Sequence, residues 1–141
     1  MTATSEVSHL LPLGGHTRTE VGGELEATLL ELVDLSLLGN QLHWSLSGPL
    51  VPVLHRHLDE LVESWRELAD KAAERAIAIG YWPDGQADAV VARDEHAAVA
   101  RGPVEDQAVV SLLVQILASV TERTAGVSVG SVHSMSSRER C

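Results

Sequence analysis

Between residues 54 and 79 the apolar side chains Leu54, Leu58, Leu61, Trp65, Leu68, Ala72, Ala76 and Ile79 recur at alternating steps of three and four. At 100° per residue they fall in a stripe about 80° wide, which suits an α-helix packed along one side. Gly80, Pro83 and Gly85 end that helix. An earlier run, Glu24 to Trp44, carries Leu25, Leu29, Leu32, Val33, Leu35, Leu38 and Leu42 on more than one face, as a helix with at least two neighbours does. Gly48, Pro49 and Pro52 break the chain between the two. A third helix is expected from Val104 to Arg123, burying Val109, Leu112, Leu113, Ile116, Leu117 and Val120, with a short helix within Gln86–Glu95 and a connection over Ala97–Pro103. At 1.5 Å per residue the long helices measure about 30 to 40 Å, the dimensions of a helical bundle.

The predicted fold class is therefore all-α: three long helices and a short connecting one. Residues 1 to 20, with Pro12, Gly14 and Gly15 and no period, are expected to be a flexible tail, and residues 21–123 the domain. After Arg123 the text changes to Gly126, Val127, Ser128, Val129, Gly130, Ser131 and Val132, without a helical period. Residues 124–141 are accordingly expected to be an atypical tail, and a fourth helix missing or altered. Three helices alone leave apolar faces of the first and third uncovered, so the expected particle is a marginally stable dimer or an aggregating chain.

A chain of 141 residues, 45% of them hydrophobic, fits one domain with one core, and with no Phe and one Tyr that core is aliphatic. A net charge of −10 repels phosphate backbones and draws cations to any acidic cleft, which disfavours DNA as a partner. The single cysteine, Cys141, excludes an internal disulfide and suits a reducing cytoplasm. No stretch reads as a signal peptide or a membrane span, so the expectation is a soluble cytoplasmic protein.

The chemistry lies on a second stripe of the same helix. His55, Asp59, Glu63, Arg66, Asp70 and Glu74 sit about 140° around the axis from the apolar stripe. Such a row is ordinarily a solvated face. His55 with Asp59, and Asp70 with Glu74, are however i, i+4 pairs, each able to offer two donors to one ion. Imidazole with carboxylate suits iron, manganese or zinc. Asp70 follows His55 by 15 positions, about 22 Å along a helix, so one chain cannot bring its two pairs to one ion. An antiparallel copy can: a two-fold axis near Ser64 and Trp65 lays the His55 end of one helix against the Glu74 end of the other, building the site twice per homodimer. His43 would return toward His55 through the Gly48–Pro49 turn.

The string HWSLSGPLVPVLHRHLDELVESWRELADKAAERAIAIG, from His43 onward, resembles the Dps family of miniature ferritins, whose pattern is H-W-N-x-x-G, then His, Asp four residues on, and later D-x-x-A-E-R. The spacings agree at each step, and the likeness spans about Leu25 to Arg123. It implies a ferritin-like bundle and a ferroxidase site with His43 and His55 from one chain, Asp70 and Glu74 from its partner, and Asp59 beside them. It further implies iron as the metal, hydrogen peroxide as the oxidant, a dodecameric shell around a mineral core, and protection from oxidative stress. Ser45 stands where the family has Asn, and Val51 near a position that is aromatic there. The end of the chain departs more seriously, since the family continues into a fourth helix; the reading here is a truncated or frame-shifted terminus. The competing reading is a structural or DNA-binding helical oligomer whose charged stripe only selects its partner.

Among the remaining candidates, His57 is expected to be an exposed histidine, and Trp44 and Trp65 packing residues. His9, His16, His96 and His133 have no partner at ligand spacing, and Cys141 reads as a tail residue. No phosphate loop, Ser/His/Asp arrangement or CxxC pair is present.

Overall fold

The computed structural model describes residues 13–93 and 99–136, with side chains up to residue 123. Its elements are α1 (Gly15–Ser45), β1 (Leu46–Ser47), α2 (Val51–Ala78), α3 (Ala87–Val91), β2 (Val104–Glu105) and α4 (Asp106–Ser136). Three long helices and a short connecting one thus form the bundle. No helix among the described residues is long and apolar enough to cross a membrane.

The apolar stripe of α2 is used nearly as its spacing predicts. Leu58, Trp65, Ala72 and Ala76 are buried, but so are Val62 and Ala69, while Leu68 is 46% exposed. The buried face is rotated toward α1 because α1 comes close there. A Cβ on Gly39 would lie 2.6 Å from Val62 and 2.8 Å from Trp65, so only the bare glycine admits those side chains. Further along, Leu29 packs against Ala69 and Ala72. In the middle, Leu35, Val62 and Trp65 meet Ile116 of α4. At the far end Leu42, Leu58 and Val109, all almost fully buried, join the three helices beneath the turn between α1 and α2.

Helix boundaries differ from expectation: Pro52, read as a breaker, lies in the first turn of α2, Val104 lies in β2 just before α4, and two ends differ by more than a turn. The helix α1 begins at Gly15, well before Glu24, so part of the presumed tail is helical. Gly22 and Gly23 each disfavour a helix by up to about 1 kcal/mol, yet Gly22 is where Tyr81 lies on α1, with its ring carbons 2.2 Å from where a Cβ would stand. Tertiary contact overrides local propensity there. At the other end α4 does not stop at Arg123 but runs to Ser136, so Gly126 to Val132 have helical backbone. The Val109–Val120 segment has already met the cost of nucleation, and each later residue adds one bond for one residue ordered. Residues 1–12, part of Ala97–Pro103, and Cys141 lie outside the described residues.

Polar clasps hold the α1 end opposite the α1–α2 turn and its middle. Glu31, on α1, pairs with both Arg93, just after α3, and Arg123 of α4. Tyr81, just past α2, donates its hydroxyl proton to Glu26. That bond holds the phenol above its ordinary pKa, with burial and the carboxylate's charge adding to the effect. A pKa raised by folding stabilises the fold fully below the unfolded value, and the gain disappears as pH rises through the folded one. Tyr81→Phe is therefore expected to unfold more readily than the unmodified chain at pH 8, with the difference shrinking above about pH 10. Urea midpoints at the two pH values check this; a constant difference would mean that the Glu26 bond contributes nothing.

Candidate metal site

His43 lies in the last turn of α1 and His55 near the start of α2, and the intervening turn brings them together. Nε2 of His43 faces Nδ1 of His55 at hydrogen-bond contact. The ring centroids are 3.7 Å apart and the planes meet at 67°. The other nitrogen of His43, Nδ1, is 3.3 Å from Oδ1 of Asp59, one turn beyond His55. The side chain of His43 is 17% exposed and that of Asp59 64%.

These contacts impose a proton order when both imidazoles are neutral. Asp59 is an acceptor, so Nδ1 of His43 carries the proton and Nε2 presents a lone pair. His55 then donates from Nδ1, which leaves Nε2 of His55 as the bare nitrogen. A carboxylate that accepts one imidazole N–H fixes the tautomer and leaves the other nitrogen as the donor of a metal-binding histidine, the relation that Asp59 has to His43.

The second pair is elsewhere. Asp70 and Glu74 are exposed on the same unbroken helix, about 22 Å and about 28 Å from His55 by the rise per residue. Glu74 rims a shallow depression with Lys71, Ala72 and Arg75, and Asp59 rims another with Asn40, Glu60, Glu63 and Arg66. Among the described residues, no group of three or more His, Cys, Asp or Glu side chains is arranged to hold an ion within one chain.

Of the other residues, Trp65 and His57 fall as expected, and Trp44 and His16 do not. Trp65 is buried, whereas Trp44 is 74% exposed. The cause is its helix position: His43 and Leu42 take the two inward faces at the end of α1, and Trp44 points outward. His57 is exposed and 3.4 Å from Glu60. His16 has a partner after all, Glu20, at 3.3 Å one turn on. His9 and His96, and the side chain of His133, lie outside the described residues. The sequence reading passed over Asp106, a buried carboxylate at the start of α4, whose only signal is an acidic residue at a helix start.

A ferritin-like domain model matches residues 23–127, which with the bundle and the paired histidines defines the class. The DNA protection during starvation protein 2 of Deinococcus radiodurans is 33% identical over 99 residues, 70% of this chain and 41% of that protein. The crystal structure of Dps92 from the same organism superposes with a TM-score of 0.73 at 29% identity, covering 78% of this chain and 68% of that one. The Dps of Mycobacterium smegmatis superposes with a TM-score of 0.78 at 26% identity, covering 90% and 74%. This chain belongs to the ferritin-like family, in its Dps branch of miniature ferritins. The matches span less than half the length of the curated relatives named DNA protection during starvation protein.

Proposed function

We propose that the chain takes up ferrous iron at a site shared between two copies and oxidises it, with His43 and His55 from one protomer, Asp70 and Glu74 from the other, and Asp59 orienting His43. The observation that carries this reading is the contact of His43 with His55 on a helix whose carboxylate pair lies too far away to join it. A two-fold axis across the middle of α2 supplies the missing carboxylates twice per dimer. Iron is the substrate here, entering as Fe²⁺ and leaving as Fe³⁺.

The donor set fits that reaction. Imidazole nitrogen binds Fe²⁺ well, and anionic carboxylate oxygen favours the harder Fe³⁺, so the site draws the ion toward its oxidised state. Each ferrous ion yields one electron, and two reduce one hydrogen peroxide to water. Removing peroxide and ferrous iron together prevents hydroxyl radicals from forming near DNA, which accords with the name the relatives carry. Direct DNA binding is disfavoured by the charge of −10. Self-association into a shell follows from the family reading.

Ferrous iron added anaerobically and then exposed to hydrogen peroxide tests this reading. The expected result is a fast rise of ferric-oxo absorbance, slowed at least tenfold in Glu74→Ala, a loss of the size seen when a metal site is damaged. Equal rates for variant and unmodified chain would leave a structural oligomer as the better reading.

A further inference from the structure

Asp106 is the first residue of α4 and is 5% exposed, yet its carboxylate serves another element. Oδ2 accepts the backbone N–H of Leu50, the residue directly before α2, at 2.9 Å. That N–H belongs to a helix entrance, where backbone donors lack partners of their own, and a carboxylate there also meets the positive end of the helix dipole. The same carboxylate closes over Gly48, whose φ is +116° and where a Cβ would fall 2.6 Å from Oδ2. On the other side of the turn, Leu46 and Ser47 pair in parallel with Val104 and Glu105, the two residues before Asp106. The whole turn between α1 and α2 is thus fastened to the start of α4.

That turn decides where the two histidines stand. His43 precedes Leu46 on α1, and His55 follows Leu50 on α2. Their separation and facing depend on the path of residues 46–50, whose Leu46 packs against the core of Leu42, Leu58 and Val109 that the three long helices share. A shift of about an ångström in that path would separate nitrogens that now touch, and such displacements are costly in preorganised sites.

We infer that Asp106 is a positioning residue for the iron site: it holds the Gly48–Leu50 turn and so sets how His43 and His55 face one another, without touching the ion. The inference rests on the reading that these histidines take up iron. A purely structural role is the competing explanation, because loss of a buried carboxylate destabilises any fold.

The experiment uses the full chain and two probes, Co²⁺ binding followed by visible absorbance and peroxide-driven oxidation of Fe²⁺ across iron concentrations. Asp106→Ala is expected to weaken Co²⁺ binding and raise the half-saturating iron concentration about tenfold, the usual effect of a support behind metal ligands. Asp106→Asn, which keeps the shape and an acceptor oxygen, is expected to restore most of both. Gly48→Ala, which crowds the same carboxylate from the other side, is expected to act like Asp106→Ala and serves in its place should that variant not fold. Glu31→Gln, which opens a clasp away from the turn, is the control for stability: a lower Tm with both probes unchanged. The inference is overturned by unchanged Co²⁺ and iron curves in the Asp106→Ala or Gly48→Ala chain. It is equally overturned when Glu31→Gln weakens both curves as much at a matched loss of Tm. Failure of the unmodified chain to bind Co²⁺ or oxidise iron would instead refute the functional reading, and the inference with it.

Discussion

Chains carrying His43→Ala, mixed one to one with chains carrying Glu74→Ala and allowed to exchange subunits, are expected to regain about a quarter of the iron-oxidising sites of the unmodified protein. Either variant by itself is expected to lose nearly all of them. Random pairing makes half of the dimers mixed. In a mixed dimer one site receives both damaged residues, and the other receives an intact His43 with an intact Glu74. The recovery is therefore a count of shared sites and does not depend on how much each ligand contributes. Initial rates before and after exchange give the result, with exchange verified by mass on differently tagged chains. No recovery after complete exchange would show that His43 and Glu74 do not serve one site across a two-fold axis. The prediction is sharp because α2 is one unbroken helix from Val51 to Ala78, so no local rearrangement brings Glu74 to His43 within a chain.

Trp65→Ala is expected to lower stability by about 3–5 kcal/mol, the usual cost of emptying a large aromatic site. Trp65 is 7% exposed and stands where all three long helices meet, with Val62 beside it, Leu35 on α1 and Ile116 on α4. Against a total of about 5–15 kcal/mol for an ordinary domain, that loss leaves little. Urea denaturation at several protein concentrations separates this effect from dimer dissociation. Gly39→Ala probes the same contact from the opposite side. Its added methyl would meet Val62 and Trp65 below 3.0 Å, so overpacking of about 1–3 kcal/mol should outweigh the gain in helix propensity. A Trp65→Ala chain within 1 kcal/mol of its parent would mean that the three-helix junction is not where the fold is held.

How far each feature was legible follows from the range of the forces that make it. The stripe Leu54 to Ile79 announces α2 because helical periodicity is written in neighbouring residues. Which way the stripe faces is not so written. Val62 and Ala69 are buried and Leu68 is half exposed because Gly39 and Leu29 of another helix set the line of approach. The start of α1 is not legible because the stretch up to residue 20, with Pro12, Gly14 and Gly15, has no period, and the contact of Tyr81 at Gly22 that anchors this end comes from far along the chain. The end of α4 was missed because Gly, Ser and Val lack a period, whereas a helix already nucleated continues through them. Trp44 illustrates the converse: a large apolar residue reads as core, but its angular position at the end of α1 turns it to the surface.

The amino-acid sequence by itself determined the helical class, the number of long helices, the acidic balance, and the candidate donors His43, His55, Asp59, Asp70 and Glu74, since periodicity, charge and residue type are local properties. Only the tertiary structure decided that His43 touches both His55 and Asp59, and that a carboxylate from α4, Asp106, fastens the turn between them. Those contacts join residues 12 to 56 positions apart. They arise from how packed helices place their ends in space, which no pattern along the chain encodes on its own.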